Sequence, residues 1–251
     1  MKDSQCPDLT SFDALFADAS VPKQAAQVAP ESFAAASNFW KVILSGAHVS
    51  PRMKELVLLA LHASVSALDS EAIQRHVARA RLAGASPEDI LDVLVSIVGV
   101  ANHALYNTVP VLMSELKAAG HPDAELPELS PENEAVKQEF IATRGFWPEP
   151  RDSIARLMPA YFGALSGISM EPWKSGVLTA KERELIYVSI DSSPTHFYAA
   201  GLAMHIRHAL EHGATRGELS EVLQLAASMG LEGLVLGTEA LFGCDSAMTG
   251  R

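Results

Sequence analysis

Sulfur is scarce in this chain of 251 residues: its two cysteines, Cys6 and Cys244, stand near opposite ends. Without a short-spaced pair, a disulfide framework and a four-cysteine zinc site are both excluded. Bases are in deficit, 19 Lys and Arg against 30 Asp and Glu, which leaves a net charge of −11. Nucleic-acid affinity rests on clustered Lys and Arg, so no nucleic-acid partner is expected. Long apolar runs are missing too; Leu56–Leu61 gives way directly to His62. No uninterrupted run approaches the roughly 18 residues of a bilayer span, so no membrane partner is expected. The opening Met1-Lys2-Asp3-Ser4-Gln5 lacks the apolar region of a signal peptide. Gly-rich phosphate loops, nucleophile elbows and catalytic carboxylates paired at a fixed spacing are absent as well. With 48% apolar and 20% charged residues the chain can bury a core. These features together predict a soluble, acidic, cytoplasmic globular protein.

What the chain does have is an internal repeat. Glu55-Leu56 recurs as Glu184-Leu185, His76 as His205, Gly84-Ala85 as Gly213-Ala214, and Val93-Leu94 as Val222-Leu223. Pro30, Phe33 and Ser64 recur as Pro159, Phe162 and Ser193. In every pair the second member lies 129 positions after the first. A constant offset over so long a stretch marks two copies of one module. They meet near the proline-rich acidic segment between Gly120 and Pro131.

Each copy reads as helical. Ser50-Pro51 and Thr179-Ala180 are N-cap signals, and Glu182 three residues after Thr179 completes a capping box. Gly84 and Gly213 fit the glycine that follows a helix end. Ile90, Leu91, Val93, Leu94, Ile97 and Val98 follow the 3–4 spacing of an amphipathic helix. No alternating strand pattern persists, so the fold class is all-α, a helical bundle built twice.

The second copy concentrates the groups that could do chemistry. Tyr198, His205, His208 and His212 fall on one stripe of a predicted helix, about 80° wide at 100° per residue. Glu184 lies 21 residues before His205 on the preceding helix, and Glu55 stands at the same distance from His76. The first copy has Arg79 in place of His208, Asp69 in place of Tyr198 and Ala83 in place of His212. A carboxylate and an imidazole kept at one spacing can move protons; they can also satisfy each other as a buried packing pair. Three histidines on a stripe also suggest a metal, but the first copy repeats neither His208 nor His212, and no metal is expected. Tyr187, His196 and Phe197 flank the break between the two helices and could wall a cavity. The aromatics of Arg144-Gly145-Phe146-Trp147-Pro148 could cap a pocket or plug a helix junction.

The run from His205 to Leu223, and Leu178–Leu185 upstream, resemble the carboxymuconolactone decarboxylase family; His76–Ile90 is a looser version. On that resemblance the chain is an AhpD-like helical bundle, internally duplicated: residues 1–125 a first, degenerate unit and 126–251 a second. The family implies a ring-shaped oligomer, here a homotrimer of two-unit chains mimicking a hexamer. It has a peroxide-reducing branch that uses a Cys-x-x-Cys pair seven and four residues before the histidine. Those positions hold Tyr198 and Gly201 in one copy, and Asp69 and Ala72 in the other. The other branch decarboxylates lactones of aromatic breakdown without cysteine. The resemblance therefore implies a cofactor-independent carboxy-lyase acting on a small carboxylated lactone similar to 4-carboxymuconolactone. His205 would be the proton donor or oxyanion partner and Glu184 its orienting carboxylate. His208, Tyr198, Tyr187 and His196 would line the substrate site. Glu55, His76 and Arg79 would be the degenerate equivalents, with Arg79 suited to clamp a substrate carboxylate. An alkylhydroperoxidase-like oxidoreductase and a non-catalytic binding or structural member are the alternatives.

Overall fold

The computed structural model describes residues 8–243, so Cys6 and Cys244 lie outside the described residues. It is all-α, with no strand among the described residues. The chain forms two compact units: one takes the residues up to Ile90 together with those from Thr179 onward, the other takes Leu91–Leu178. These units are a different partition from the two sequence repeats.

The first compact unit holds α1 (Val21–Val28), α2 (Pro30–Leu44), α3 (Pro51–Ala63), α4 (Ser70–Leu82) and the start of α5 (Pro87–Ser96). The second unit takes the rest of α5 and then α6 (His103–Ala118), α7 (Pro131–Arg144), α8 (Glu149–Leu157) and α9 (Pro159–Ser175). The chain then returns to the first unit with α10 (Ala180–Asp191), α11 (Ala199–Glu211), α12 (Arg216–Ser228) and α13 (Glu232–Phe242).

Both copies start and stop these helices by the same local chemistry. The Ser50 hydroxyl accepts from the Met53 amide at 3.2 Å, ahead of Pro51 in the first turn. Thr179 and Glu182 form a reciprocal capping box, and so do Thr215 and Glu218. Gly84 and Gly213 follow α4 and α11 with φ of 92° and 83°, where a side chain would be strained. There the amides of Ala85 and Ala214 each reach back to a carbonyl five residues earlier, at 2.8 Å.

Helices α3 and α10 form the centre of the first unit, packed on each other and on α4, α11 and α12. Met53–His62 and Arg183–Asp191 are buried throughout, as a helix enclosed on all sides must be. The turns that follow them match closely. The Asp69 amide donates to the His62 carbonyl at 3.1 Å, and the Tyr198 amide to the Asp191 carbonyl at 2.9 Å. Leu68 and Phe197, one repeat apart, adopt positive φ of 47° and 30°. Left-handed backbone at a side-chain-bearing residue costs about 1–2 kcal/mol, so each turn must be held by its surroundings.

One ion pair stitches the second repeat to the first. Glu221 of α12 accepts the amides of His48 and Val49, at 2.8 and 2.9 Å, just ahead of α3. It also lies 3.4 Å from the Lys54 ammonium, both side chains being buried. Lys54 in turn donates to the carbonyls of Leu44 and Gly46. The contact recurs with the repeats exchanged: inside the second unit, Asp92 accepts the amide of Leu178, the counterpart of Val49, at 2.8 Å.

The second unit has its own core of Val109, Ile154, Ala155 and Phe162. Trp147 meets Phe140 and Phe162 edge-on, at 5.5 and 5.8 Å, and the Arg151 guanidinium lies 4.2 Å above Phe140. The aromatic segment after α7 thus plugs a helix junction within this unit. The expectation on bilayer spans needs correcting for length. Because helices run on through 3-10 turns, the continuous helical stretches Pro87–Ala118 and Arg216–Phe242 reach 32 and 27 residues, with mean hydropathy of 1.4 and 1.3 over their most apolar stretch. By length and composition they suffice to cross a membrane, a test that core helices also meet; each carries a buried carboxylate, Asp92 or Glu221.

Replacing Glu221 by alanine leaves the buried Lys54 ammonium without its counter-charge and the amides of His48 and Val49 without their acceptor. We expect Glu221→Ala to cost about 2–4 kcal/mol of folding stability, measured by urea unfolding.

Candidate active site

The spacing of 21 residues between acid and histidine carries them from one helix to its neighbour. Glu184 sits in the second turn of α10, and His205 at mid-length of α11, which packs along it. Glu184 Oε2 and His205 Nδ1 are 2.5 Å apart, with Glu184 1% and His205 6% exposed. A charge in such a place must be paired. His208, one turn beyond His205, brings Nδ1 to 3.9 Å from the other oxygen, Glu184 Oε1. The Tyr187 ring lies 4.8 Å from the His205 ring, tilted by 35°. Both Tyr187 and His208 are buried.

With Nδ1 committed to Glu184, the second nitrogen of His205 is directed elsewhere. His205 Nε2 lies 4.0 Å from Oδ2 of Asp191, the last residue of α10. His196, in the α10–α11 turn, brings Nε2 to 3.6 Å from Asp191 Oδ1. Asp191 is fully buried. Burial first, and then the negative charge of Glu184, push its carboxyl up to about 8. At neutral pH it therefore carries a proton. Gly201 makes room for it: a Cβ at that position would collide with Asp191 Oδ2 and with the ring of Tyr198. Sequence reasoning missed Asp191. Its counterpart is His62, so the repeat hid it, and the only signal was an acid in an otherwise apolar helix end.

Two residues of the predicted stripe sit differently. Tyr198 is the residue before α11 rather than part of it, because the turn at Phe197 delays the helix to Ala199. His212 caps the other end of α11 and is exposed. Tyr187, His196, His205 and His208 are therefore brought together around Glu184 and Asp191, whereas His212 is not.

The first repeat builds the same pair and then locks it. His76 Nδ1 lies 2.9 Å from Glu55 Oε2. Arg79, at the place of His208, spreads Nε and Nη2 over both Glu55 oxygens at 2.8–3.1 Å and donates to the Leu9 carbonyl at 2.7 Å. Trp40 lies 5.6 Å from the guanidinium. Arg79 is thus engaged with Glu55 and with the chain ahead of α1. Burial alone would raise Glu55, but the hydrogen bond and charge of His76, with Arg79, hold it below the usual carboxylate range. Burial pushes His76 down, against the pull of Glu55. The pair therefore rests as a carboxylate accepting from a neutral imidazole. His62 stacks on His76 at 5.2 Å and is pushed down to about 3, by burial and then by His76 and Arg75. The first centre thus offers no proton near neutrality.

Among the described residues, Glu184, His205 and His208 each bring one potential ligand atom within 4.8 Å of the others, as do His62, Asp69 and Glu232. In the present arrangement Glu184 and His205 are hydrogen-bonded to each other.

The sequence model of the carboxymuconolactone decarboxylase family matches residues 30–119 and again 159–236. The two matches begin one repeat length apart. A crystal structure from Burkholderia xenovorans LB400, described as a "putative gamma-carboxymuconolactone decarboxylase subunit", shares 31% identity over 91% of each chain, with a TM-score of 0.82. No curated protein matches the chain.

Two outcomes follow from the contrast between the centres. A carboxyl whose pKa is raised on folding stabilises the fold fully below its ordinary value near 4 and loses that contribution as pH rises towards 8. Asp191→Asn should therefore gain stability relative to the parent between pH 5 and pH 8, in thermal unfolding followed across that range. Removing the cation from the first centre strands a buried carboxylate. Arg79→Met should cost about 3–5 kcal/mol in urea unfolding.

Proposed function

The chain belongs to the carboxymuconolactone decarboxylase family, and from that premise we propose a cofactor-independent carboxy-lyase acting on a small carboxylated lactone similar to 4-carboxymuconolactone. The observation that carries the reading is the buried Glu184–His205 pair at 2.5 Å. Loss of CO₂ leaves an electron pair on carbon. In an unsaturated lactone that pair delocalises onto the ring carbonyl, so the substrate carries its own electron sink. The protein must then steady the oxygen and return a proton to carbon. Glu184 fixes the orientation of His205 through Nδ1, and a His205 that carries both ring protons donates from both nitrogens. Nδ1–H holds Glu184 and Nε2–H faces the reacting molecule. His208, Tyr187, His196 and Tyr198 form the surrounding wall.

Peroxide reduction needs a redox sulfur. Tyr198 and Gly201, and Asp69 and Ala72, stand where that branch of the family carries its cysteines. The first repeat is read as a supporting copy, since Arg79 neutralises Glu55 there. We further take the chain to be a cytoplasmic homotrimer. Exposed Leu112 and Leu241, one repeat apart on α6 and α13, supply apolar surface that a neighbour would cover.

His205→Gln removes the proton donor while keeping size and polarity. It should fold with an unchanged circular-dichroism spectrum and lose at least 100-fold in kcat on a carboxylated muconolactone, in the range of a general acid. Full turnover in that variant would overturn the role of His205.

A further inference from the structure

We propose that Asp191 is the second proton-bearing donor of this centre: its carboxyl and His205 Nε2 together cradle an oxygen that gathers negative charge, which makes the site a receptor for enolates and phenolates.

Four observations converge on this. First, Asp191 stands seven residues after Glu184 on α10, two turns along the same face, so both carboxyl groups address the one imidazole. Glu184 takes Nδ1 at 2.5 Å and Asp191 faces Nε2 at 4.0 Å. Second, a gap of 4.0 Å is longer than a hydrogen bond but matches two donors that each reach about 2.8 Å to one shared oxygen. Third, Gly201 leaves the space that the carboxyl occupies, because any Cβ there would strike Oδ2. Fourth, the turn that follows α10 is pinned by the Tyr198 amide on the Asp191 carbonyl, so the residue is fixed at its backbone as well. Glu184 on its own helix, His205 on α11 and His196 in the turn face it, with the Tyr198 ring beside it at Gly201. A buried carboxyl beside a second carboxylate keeps its proton, in line with the upward shift already described. A neutral carboxylic acid in an apolar site is a strong donor to an oxyanion.

The proposal rests on the lactone reading for the identity of that oxygen, but not for the donor pair itself. In that reaction the carbon–carboxylate bond breaks and CO₂ departs. The electron pair it leaves spreads to the lactone carbonyl, where Asp191 O–H and His205 Nε2–H both donate. His205 then passes its Nε2 proton to the carbon, the pair forms the new C–H bond, and solvent returns a proton to the imidazole. One proton is consumed for each CO₂ released, and no oxidant or reductant is required.

The test uses a phenolate as a stable stand-in for the charged oxygen. Titrating the full chain with 4-nitrophenol and 3,4-dinitrophenol, followed by the absorbance of the bound anion, measures binding without turnover. Asp191→Asn keeps an N–H donor and should bind within about fivefold of the parent. Asp191→Leu keeps the volume and loses the donor, so it should bind about 10- to 100-fold more weakly, the range of one hydrogen bond to a charged oxygen. Asp191→Ala takes its place if the leucine variant does not fold. Equal binding by the donor-less variant overturns the proposal. So does an asparagine variant as weak as the leucine one, which would make Asp191 a base, and so does a parent protein that binds neither phenol. If binding depends on Asp191 while no lactone is turned over, the cradle stands and the substrate reading falls.

Discussion

A carboxylate buried inside a helix pair has to be answered by a proton or a cation, and the way each repeat answers shapes everything else in this protein. Glu55 and Glu184 occupy equivalent places on central helices that solvent does not reach. Leaving either unpaired would cost several kcal/mol, a large share of a domain's net stability. The imidazole 21 residues later meets that demand in both copies, which ties α3 to α4 and α10 to α11 by the same bond. The spacing is therefore a folding requirement before it is a catalytic one.

The copies part company one helical turn further on. In the first, Arg79 supplies a full cation, Glu55 is satisfied twice over, and the imidazole is left neutral. In the second, His208 stands where the arginine would be, and a further carboxyl, Asp191, occupies the place of His62. The second centre thus offers an imidazole where the first has a guanidinium, which keeps its proton. Duplication allowed one copy to keep the electrostatically closed version while the other kept groups that can exchange protons.

Much of the helical framework was legible in the residues. Ser50, Thr179 and Glu182 announce helix starts, and Gly84 and Gly213 announce ends, because capping is chemistry between near neighbours. The Glu–His pairing could be read from its repetition. Its partners across longer distances could not. Arg79 carries the same letter whether it clamps a ligand or folds onto Glu55. Asp191 is the end of an apolar helix until Gly201 and His205 are seen beside it. Tyr198 counted as part of a stripe because periodicity assumes an unbroken helix, and the left-handed Phe197 breaks it. The hold of Glu221 on residues 48 and 49 links positions more than 170 apart, a distance over which no local pattern speaks.

That last contact bears on how the two halves came to share one polypeptide. The anchoring acid for the start of α3 comes from the later copy, and the one for the residue before Thr179 comes from the earlier copy. A lone copy would lack the carboxylate its own helix entrance requires, whereas two identical copies could lend it to each other.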